Sequence, residues 1–213
     1  GVLFLDELPE FKRTALEVMR QPLEDRVVTI SRAKFSINYP AGIMLVASMN
    51  PCPCGFHNHP EKECVCSPAN VQRYLSRISG PLLDRIDIHL EVVPVPFDKM
   101  SDGTLKSESS AVIRERVSRA REIQRIRFSK QKGMYCNAQM ASKELRQYCI
   151  LDDASQMLLK TAMQKLGLSA RAYDRILKVS RTIADLENSA DIQSPHIAEA
   201  IHYRSLDRES WGL

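Results

Sequence analysis

Gly1-Val2-Leu3-Phe4-Leu5-Asp6-Glu7 is the stretch on which the fold turns: an unbroken apolar run ended by two adjacent carboxylates. A run this short reads as a strand buried on both faces of a parallel sheet, and carboxylates at its C-terminal end stand where open α/β sheets bind ligands. This is the form of a Walker B motif, in which the aspartate helps to hold Mg²⁺ on a nucleotide and a neighbouring glutamate polarises the attacking water. The same residues also fit a buried strand running into an acidic first helical turn, where carboxylates are favoured. The chain does not start with Met, and its 213 residues contain no Gly-x-x-x-x-Gly-Lys-Ser/Thr phosphate loop, so the expectation is the second half of an NTPase.

Downstream, the period of the apolar residues changes as it does in α/β structure. Pro9 and Glu10 open a helix with Phe11, Ala15, Leu16, Met19 and Leu23 at helical spacing. Arg26–Ser31 and Lys34–Asn38 alternate and are rich in β-branched residues, which predicts a hairpin with Arg32-Ala33 at a basic tip. Pro40 and Gly42 end it, Ile43–Ser48 follows as a second buried strand, and Ile86–Val92 is a third, more exposed strand candidate. Residues 94–109 carry Pro94, Pro96, Ser, Asp, Gly and Thr with no apolar period, which predicts a linker at 99–109 between a domain at 1–98 and another at 110–213. The second domain reads as helical throughout. It has a basic helix over 110–130, a second helix over 153–166 with Ala154, Met157, Leu158, Thr161, Ala162 and Lys165 on one face, a third capped by Ser169, and a fourth begun by Ser194-Pro195. The fold class is α/β followed by all-α.

Composition sets the outer limits. With 44% hydrophobic and 26% charged residues the chain is an ordinary globular sequence. It has no apolar stretch near membrane-spanning length and no signal-peptide pattern, so it is expected to be cytoplasmic and not membrane-bound. The net charge of +4 is carried by the C-terminal half. Arg114, Arg116, Arg119, Arg121, Arg125, Arg127, Lys130 and Lys132 face only Glu115 and Glu122 over the same stretch, a pattern open to a polyanion-binding face or to a solvated helix.

Three further positions bear on nucleotide chemistry. Asn50 follows the second buried strand; a neutral amide there can donate to a γ-phosphate or orient water, although Asn-Pro is also an ordinary strand-to-turn signal. Arg85 ends a short apolar stretch, where it can reach a neighbouring subunit's nucleotide as an arginine finger or pair internally with Asp84 or Asp87; Arg73 and Arg77 are less well placed rivals. Arg171, in the first turn after Ser169, suits a phosphate at a helix N-terminus.

Taken in order, Asp6-Glu7-Leu8-Pro9-Glu10-Phe11, Gln21-Pro22-Leu23-Glu24-Asp25, Val28–Ala33, Met49–Gly55, Ser79–Asp87 and Ser169-Ala170-Arg171 resemble the Mg-chelatase-like AAA+ ATPases, and within them the ComM competence group, also called YifB. The resemblance runs over nearly the whole chain. It implies the C-terminal half of an AAA+ core with a helical lid, a hexameric ring, ATP and Mg²⁺ as ligands, and an ATP-driven motor on DNA that migrates branches of recombination intermediates. Carried over by position, Asp6 and Glu7 are the Walker B pair, with Asp6 on Mg²⁺; Asn50 is sensor 1, Arg85 the finger and Arg171 sensor 2. The hairpin at 26–38 becomes a pre-sensor 1 insertion, with Arg32 and Lys34 on a nucleic-acid backbone; an exposed hairpin kept soluble by its charges is the plainer alternative. Members of the family begin with a Lon-protease-like domain and a Walker A loop, neither of which this sequence has, so the chain alone is expected to be inactive as an ATPase.

Cys52-Pro-Cys54 and Cys64-Val-Cys66 are the other strong signal. Four thiols in two close pairs can close a tetrahedral structural Zn²⁺ site, with His57 or His59 able to replace one of them; free cysteines are the alternative. Cys136, Cys149, His196 and His202 have no partners in the pattern and read as structural. Two other functions compete with the DNA motor: a chelatase subunit driving Mg²⁺ into a porphyrin, for which no porphyrin site is visible, and a non-catalytic interaction module.

Overall fold

A computed structural model describes residues 1–95 and 107–204. The linker expected at 99–109 and the end of the helical domain lie largely outside these residues. By contacts the chain divides into one unit over Gly1–Ile86 and a second from Asp87 onward, a division that falls before the expected linker.

In the first unit the opening run forms β1 (Val2–Leu5), which pairs in parallel with β4 (Met44–Ala47), Val2 opposite Met44 and Leu5 opposite Ala47. The parallel pairing follows from what lies between: two short helices, α1 (Arg13–Val18) and α2 (Arg20–Asp25), and the hairpin β2 (Val27–Arg32) and β3 (Phe35–Pro40). The single helix expected from Pro9 is broken. Leu8–Glu10 is a 3-10 turn, and α1 stops before Met19 because Pro22 has no N–H to continue the hydrogen-bond ladder.

Neither strand of the parallel pair is buried on both faces, contrary to the expectation. Val2 is 65% exposed, Phe4 60% and Met44 59%, because the described sheet has only two strands and packs one face on a core. That core is Leu8, Leu16, Ile78, Leu82 and Leu83, with Leu5, Met19 and Leu23 against it. Ile86–Val92 forms no strand; no described strand lies beside it to accept its hydrogen bonds, and Leu90 and Val92 are exposed. Two more helices complete the unit, α3 (Pro68–Leu75), begun by Ser67, and α4 (Gly80–Leu83).

The second unit is helical: α5 (Ser110–Arg127), α6 (Ser142–Tyr148), α7 (Asp153–Lys165), α8 (Ala170–Leu186) and α9 (Ser194–His202). Its core gathers Phe128, Met140, Leu145, Leu159, Ile176 and Ile197 around α8. Ser169 caps α8 as predicted, its hydroxyl accepting the Ala172 N–H at 3.2 Å. Two expectations shift by one residue. The buried stripe of α7 runs through Ser155 and Leu159, leaving Ala154 and Met157 exposed, and the N-cap of α9 is Gln193 rather than Ser194. One contact explains both: the Ser155 and Ser194 hydroxyls meet at 3.1 Å, which turns α7 and removes Ser194 from capping.

Half of the basic residues over 114–132 pair with carboxylates, and Arg114, Arg121, Lys130 and Lys132 stay exposed. Arg116 pairs with Glu108, Arg119 with Glu115, Arg125 with Glu122 and Arg127 with Asp185. The last pair belongs to a buried network in which Asp185, fully enclosed, accepts from Arg127 at 2.7 Å, Arg181 at 3.1 Å and the Asn137 amide at 2.8 Å. Among the described residues no helix is long and apolar enough to cross a membrane.

Candidate functional site

The parallel register carries Asp6 and Ser48 to the same edge, each one residue beyond its strand. The Ser48 hydroxyl donates a short hydrogen bond to Asp6 Oδ1, and the Glu7 N–H reaches the same oxygen at 3.1 Å. The chain then turns sharply. Glu7 lies in the left-handed region at φ 51°, and the Leu8 N–H returns to the Ser48 carbonyl at 2.9 Å. A glutamate in that conformation costs of the order of 1 kcal/mol, and such local strain collects at functional positions. Both carboxylates stay exposed.

Asn50, also exposed, follows β4 at this same C-terminal edge, so three of the sequence-predicted residues, Asp6, Glu7 and Asn50, share one end of the parallel pair. Behind Asn50 sits Tyr74 of α3, its phenol pushed upward by burial and by the negative charge of Glu10 and, more weakly, Glu7, while a hydrogen bond from the Asn50 backbone pulls the other way. Arg77 ties the following turn, donating to the Pro9 carbonyl at 3.1 Å and to Glu10 at 2.9 Å. Ser48 and Tyr74 escape a reading of the sequence alone. The signal for Ser48 was its place just past β4, since pairing Leu5 with Ala47 sets Ser48 against Asp6.

Arg85 is brought to neither Asp6 nor the surface. Its side chain is 8% exposed, its Nε lies 3.0 Å from Glu24 as an ion pair, and its Nη1 donates to the Pro81 carbonyl at 2.6 Å. The internal partner is thus Glu24 of α2; Asp87 instead pairs with Arg175 at 2.8 Å. Arg171 lies in the second unit, exposed in the first turn of α8.

The cysteines form a second centre, in the loop between β4 and α3. The Sγ atoms of Cys52 and Cys54 lie 3.3 Å apart, Cys52 and Cys64 3.7 Å, Cys54 and Cys64 3.6 Å, and all four, with Cys66, fall within 4.8 Å of one another. Tetrahedral zinc with Zn–S bonds of about 2.3 Å sets its sulfurs ~3.8 Å apart, so the cluster fits that ion, whereas disulfide sulfurs would be in bonding contact. All four thiols are free, and Cys52 is fully buried. Gly55, at φ 82°, makes the turn that follows Cys54, and its N–H bonds the Cys52 carbonyl at 3.0 Å.

The thiols compete for protons. The Phe56 N–H bonded to Cys54 draws that thiol down to about 6; the Cys66 N–H also favours the thiolate of Cys64, but burial and the Cys54 and Cys52 thiols drive Cys64 up to about 12. One negative charge is easily carried and a second is opposed, a conflict that a divalent cation relieves. Neither histidine joins the cluster. His59 Nδ1 is occupied by the Glu61 and Lys62 N–H groups at 3.0 and 3.1 Å, and His57 meets Cys52 only through its backbone N–H, at 3.3 Å.

The third feature is the hairpin, whose register pairs Arg32 with Phe35 and so moves the turn to Ala33-Lys34, one residue later than predicted. Arg32 and Lys34 are both exposed at the tip.

Residues 1–100 match the sequence family described as "Magnesium chelatase, subunit ChlI", and residues 107–204 match "Magnesium chelatase, subunit ChlI C-terminal". The chain belongs to this family. Within it, the chain is 48% identical over 98% of its length to "Competence protein ComM" of Haemophilus influenzae and 45% identical, again over 98%, to "Uncharacterized protein YifB" of Escherichia coli. An uncharacterized protein of Mycobacterium tuberculosis, Rv2897c, is 36% identical over 96% of the chain. The chain spans 40% of the length of each of these relatives.

Proposed function

We propose that this chain forms the part of an ATP-hydrolysing AAA+ ring motor that runs from Walker B to sensor 2, and that the motor acts on DNA. What chiefly supports the reading is the convergence of Asp6, Glu7 and Asn50 at the C-terminal edge of β1 and β4, in a chain related to a competence protein. Asp6, oriented by Ser48, serves as the Mg²⁺ carboxylate; Glu7 polarises the attacking water and Asn50 orients it against the γ-phosphate. Arg171 is sensor 2. Arg85 acts as the finger only once it leaves Glu24, so its release is part of ring assembly into a hexamer. The Cys52, Cys54, Cys64 and Cys66 thiols hold a structural Zn²⁺ that fixes the loop between the Asn50 edge and α3; with all four positions filled by protein, the ion takes no part in chemistry. Arg32 and Lys34 contact the phosphate backbone of DNA.

The 213 residues contain no Walker A lysine, so ATP turnover belongs to the longer protein and not to this stretch alone. The experiment is ATP hydrolysis by the full-length protein with and without DNA, beside the double variant Arg32→Gln/Lys34→Gln. Stimulation by DNA that is lost in the variant is the expected result; stimulation unchanged by it removes the hairpin from the function. The family description favours one other reading, a chelatase subunit that powers Mg²⁺ insertion into a porphyrin. Hydrolysis indifferent to DNA but stimulated by a porphyrin partner system would select it.

A further inference from the structure

The hairpin leaves its apolar side uncovered. Its two faces are fixed by the register, in which Thr29 faces Asn38 and Ser31 faces Ser36 on one side, and Val28 faces Tyr39, Ile30 faces Ile37 and Arg32 faces Phe35 on the other. The polar side satisfies its own hydrogen bonds: Thr29 donates to Asn38 at 2.8 Å, Ser31 and Ser36 meet at 3.0 Å, and Gln21 of α2 donates to Thr29 at 2.9 Å. Both sides are exposed, and on the apolar one Ile30 is 47%, Phe35 53%, Ile37 42% and Tyr39 50% exposed. A hairpin that merely decorates a surface turns its apolar side inward.

Charge says what the open side meets. From Arg26 to Pro60 the sequence contains no Asp or Glu, and Arg32 and Lys34, at the end of the apolar ladder, take part in no ion pair among the described residues. Aromatic rings lined up on one face with cations at its tip are what an unpaired strand of nucleic acid requires: faces for its bases and positive charge for its phosphates. A duplex offers only the second, since its bases are stacked on one another and its grooves are read by hydrogen bonds or by wedges that unstack a step.

We infer that the exposed face of the hairpin, with Phe35 as its leading ring and Tyr39 behind it, stacks on the bases of single-stranded DNA. The inference rests on the DNA-motor reading above and adds to it: Arg32 and Lys34 supply attraction to any strand, and Phe35 supplies the preference for an unpaired one. Four residues of extended chain separate Phe35 from Tyr39, about 13 Å, so the two rings serve different nucleotides.

The experiment measures binding of the full-length protein to oligothymidylate and to a duplex of the same length across a salt series. Phe35→Ala weakens single-strand binding about 5- to 100-fold, leaves the salt slope unchanged and leaves duplex binding as it was; Phe35→Trp restores the single-strand affinity. Arg32→Gln/Lys34→Gln weakens both and lowers the single-strand salt slope by about 1.4. A single 5-iododeoxyuridine in the oligothymidylate gives a photo-crosslink to Phe35. If the charge variants act but Phe35→Ala weakens single strand and duplex alike, or neither, stacking is overturned while the DNA reading stands. If the charge variants change neither affinity nor slope, the DNA reading of the hairpin itself fails. A Phe35→Ala variant that alters the oligomeric state and not the affinity gives the apolar face to a second copy of the chain, and also overturns the inference.

Discussion

At the scale of single residues, Glu7 shows how chemistry and stability part company. Its left-handed backbone at φ 51° is unfavourable for a side chain branching from an ordinary Cβ, while Asn tolerates that region through its short amide. Glu7→Asn is therefore expected to keep the folding stability or raise it by at most about 1 kcal/mol, and yet to lower ATP turnover of the full-length protein roughly 10²- to 10⁴-fold, the loss typical of a missing proton-transfer group. Thermal denaturation and steady-state hydrolysis on the same preparation check both halves. Asp185 shows the opposite, a purely packing-side dependence: Arg127 and Arg181 both pair with it, with 11% and 4% of their side chains exposed. Asp185→Ala leaves two buried guanidinium groups without their carboxylate and is expected to cost about 3–5 kcal/mol in thermal or urea unfolding of the helical unit. Replacing exposed Glu122, whose pair with Arg125 is open to water, is expected to leave the same unfolding transition nearly unchanged.

At the scale of elements, the loop between β4 and α3 is organised around its four-thiol cluster. Cys52 packs with Val71, Tyr74 and Leu75, so the thiol cluster and the buried side of α3 are one small core. Reduced protein is expected to carry one equivalent of zinc by elemental analysis. Cys64→Ser should lose it and loosen α3, read as faster amide exchange over Val71–Leu75 with little change in α8. Zinc retention should also fall as the pH drops, since the ligands are thiolates and acid returns their protons. The elements themselves were legible in the sequence to different degrees. β1, the hairpin, β4 and the Ser169 cap of α8 follow from local pattern and cap chemistry. The helix broken at Met19 and the one-residue turn of α7 do not, because a missing hydrogen bond at Pro22 and a contact between Ser155 and Ser194 outweigh apolar spacing.

At the scale of the whole molecule, half of the basic side chains over 114–132 find carboxylate partners, while Arg114, Arg121, Lys130 and Lys132 stay exposed with no ion pair among the described residues. Stability of the helical unit carries an alkaline limit. Burial pushes the Cys149 thiol up from 9.0 to about 12, so its contribution is intact below pH 9 and is lost as the pH climbs toward 12, where the unfolded chain ionises first. Cys149→Ala should flatten that part of the stability–pH curve, and the native thiol should resist alkylation at neutral pH until the chain unfolds.

By itself the sequence determined the order of the motifs, the α/β-then-helical class, the pairing of cysteines into a candidate metal site and the placing of Asp6, Glu7 and Asn50 at strand ends. These follow from spacing along the chain, which local geometry converts directly into faces and termini. Only the tertiary structure decided that Ser48 holds Asp6, that Arg85 turns inward to Glu24, that His59 stays outside the thiol cluster and that the hairpin shows its apolar side to the exterior. Periodicity says which side of an element is apolar; which way that side looks depends on partners distant in sequence, which spacing along the chain does not reveal.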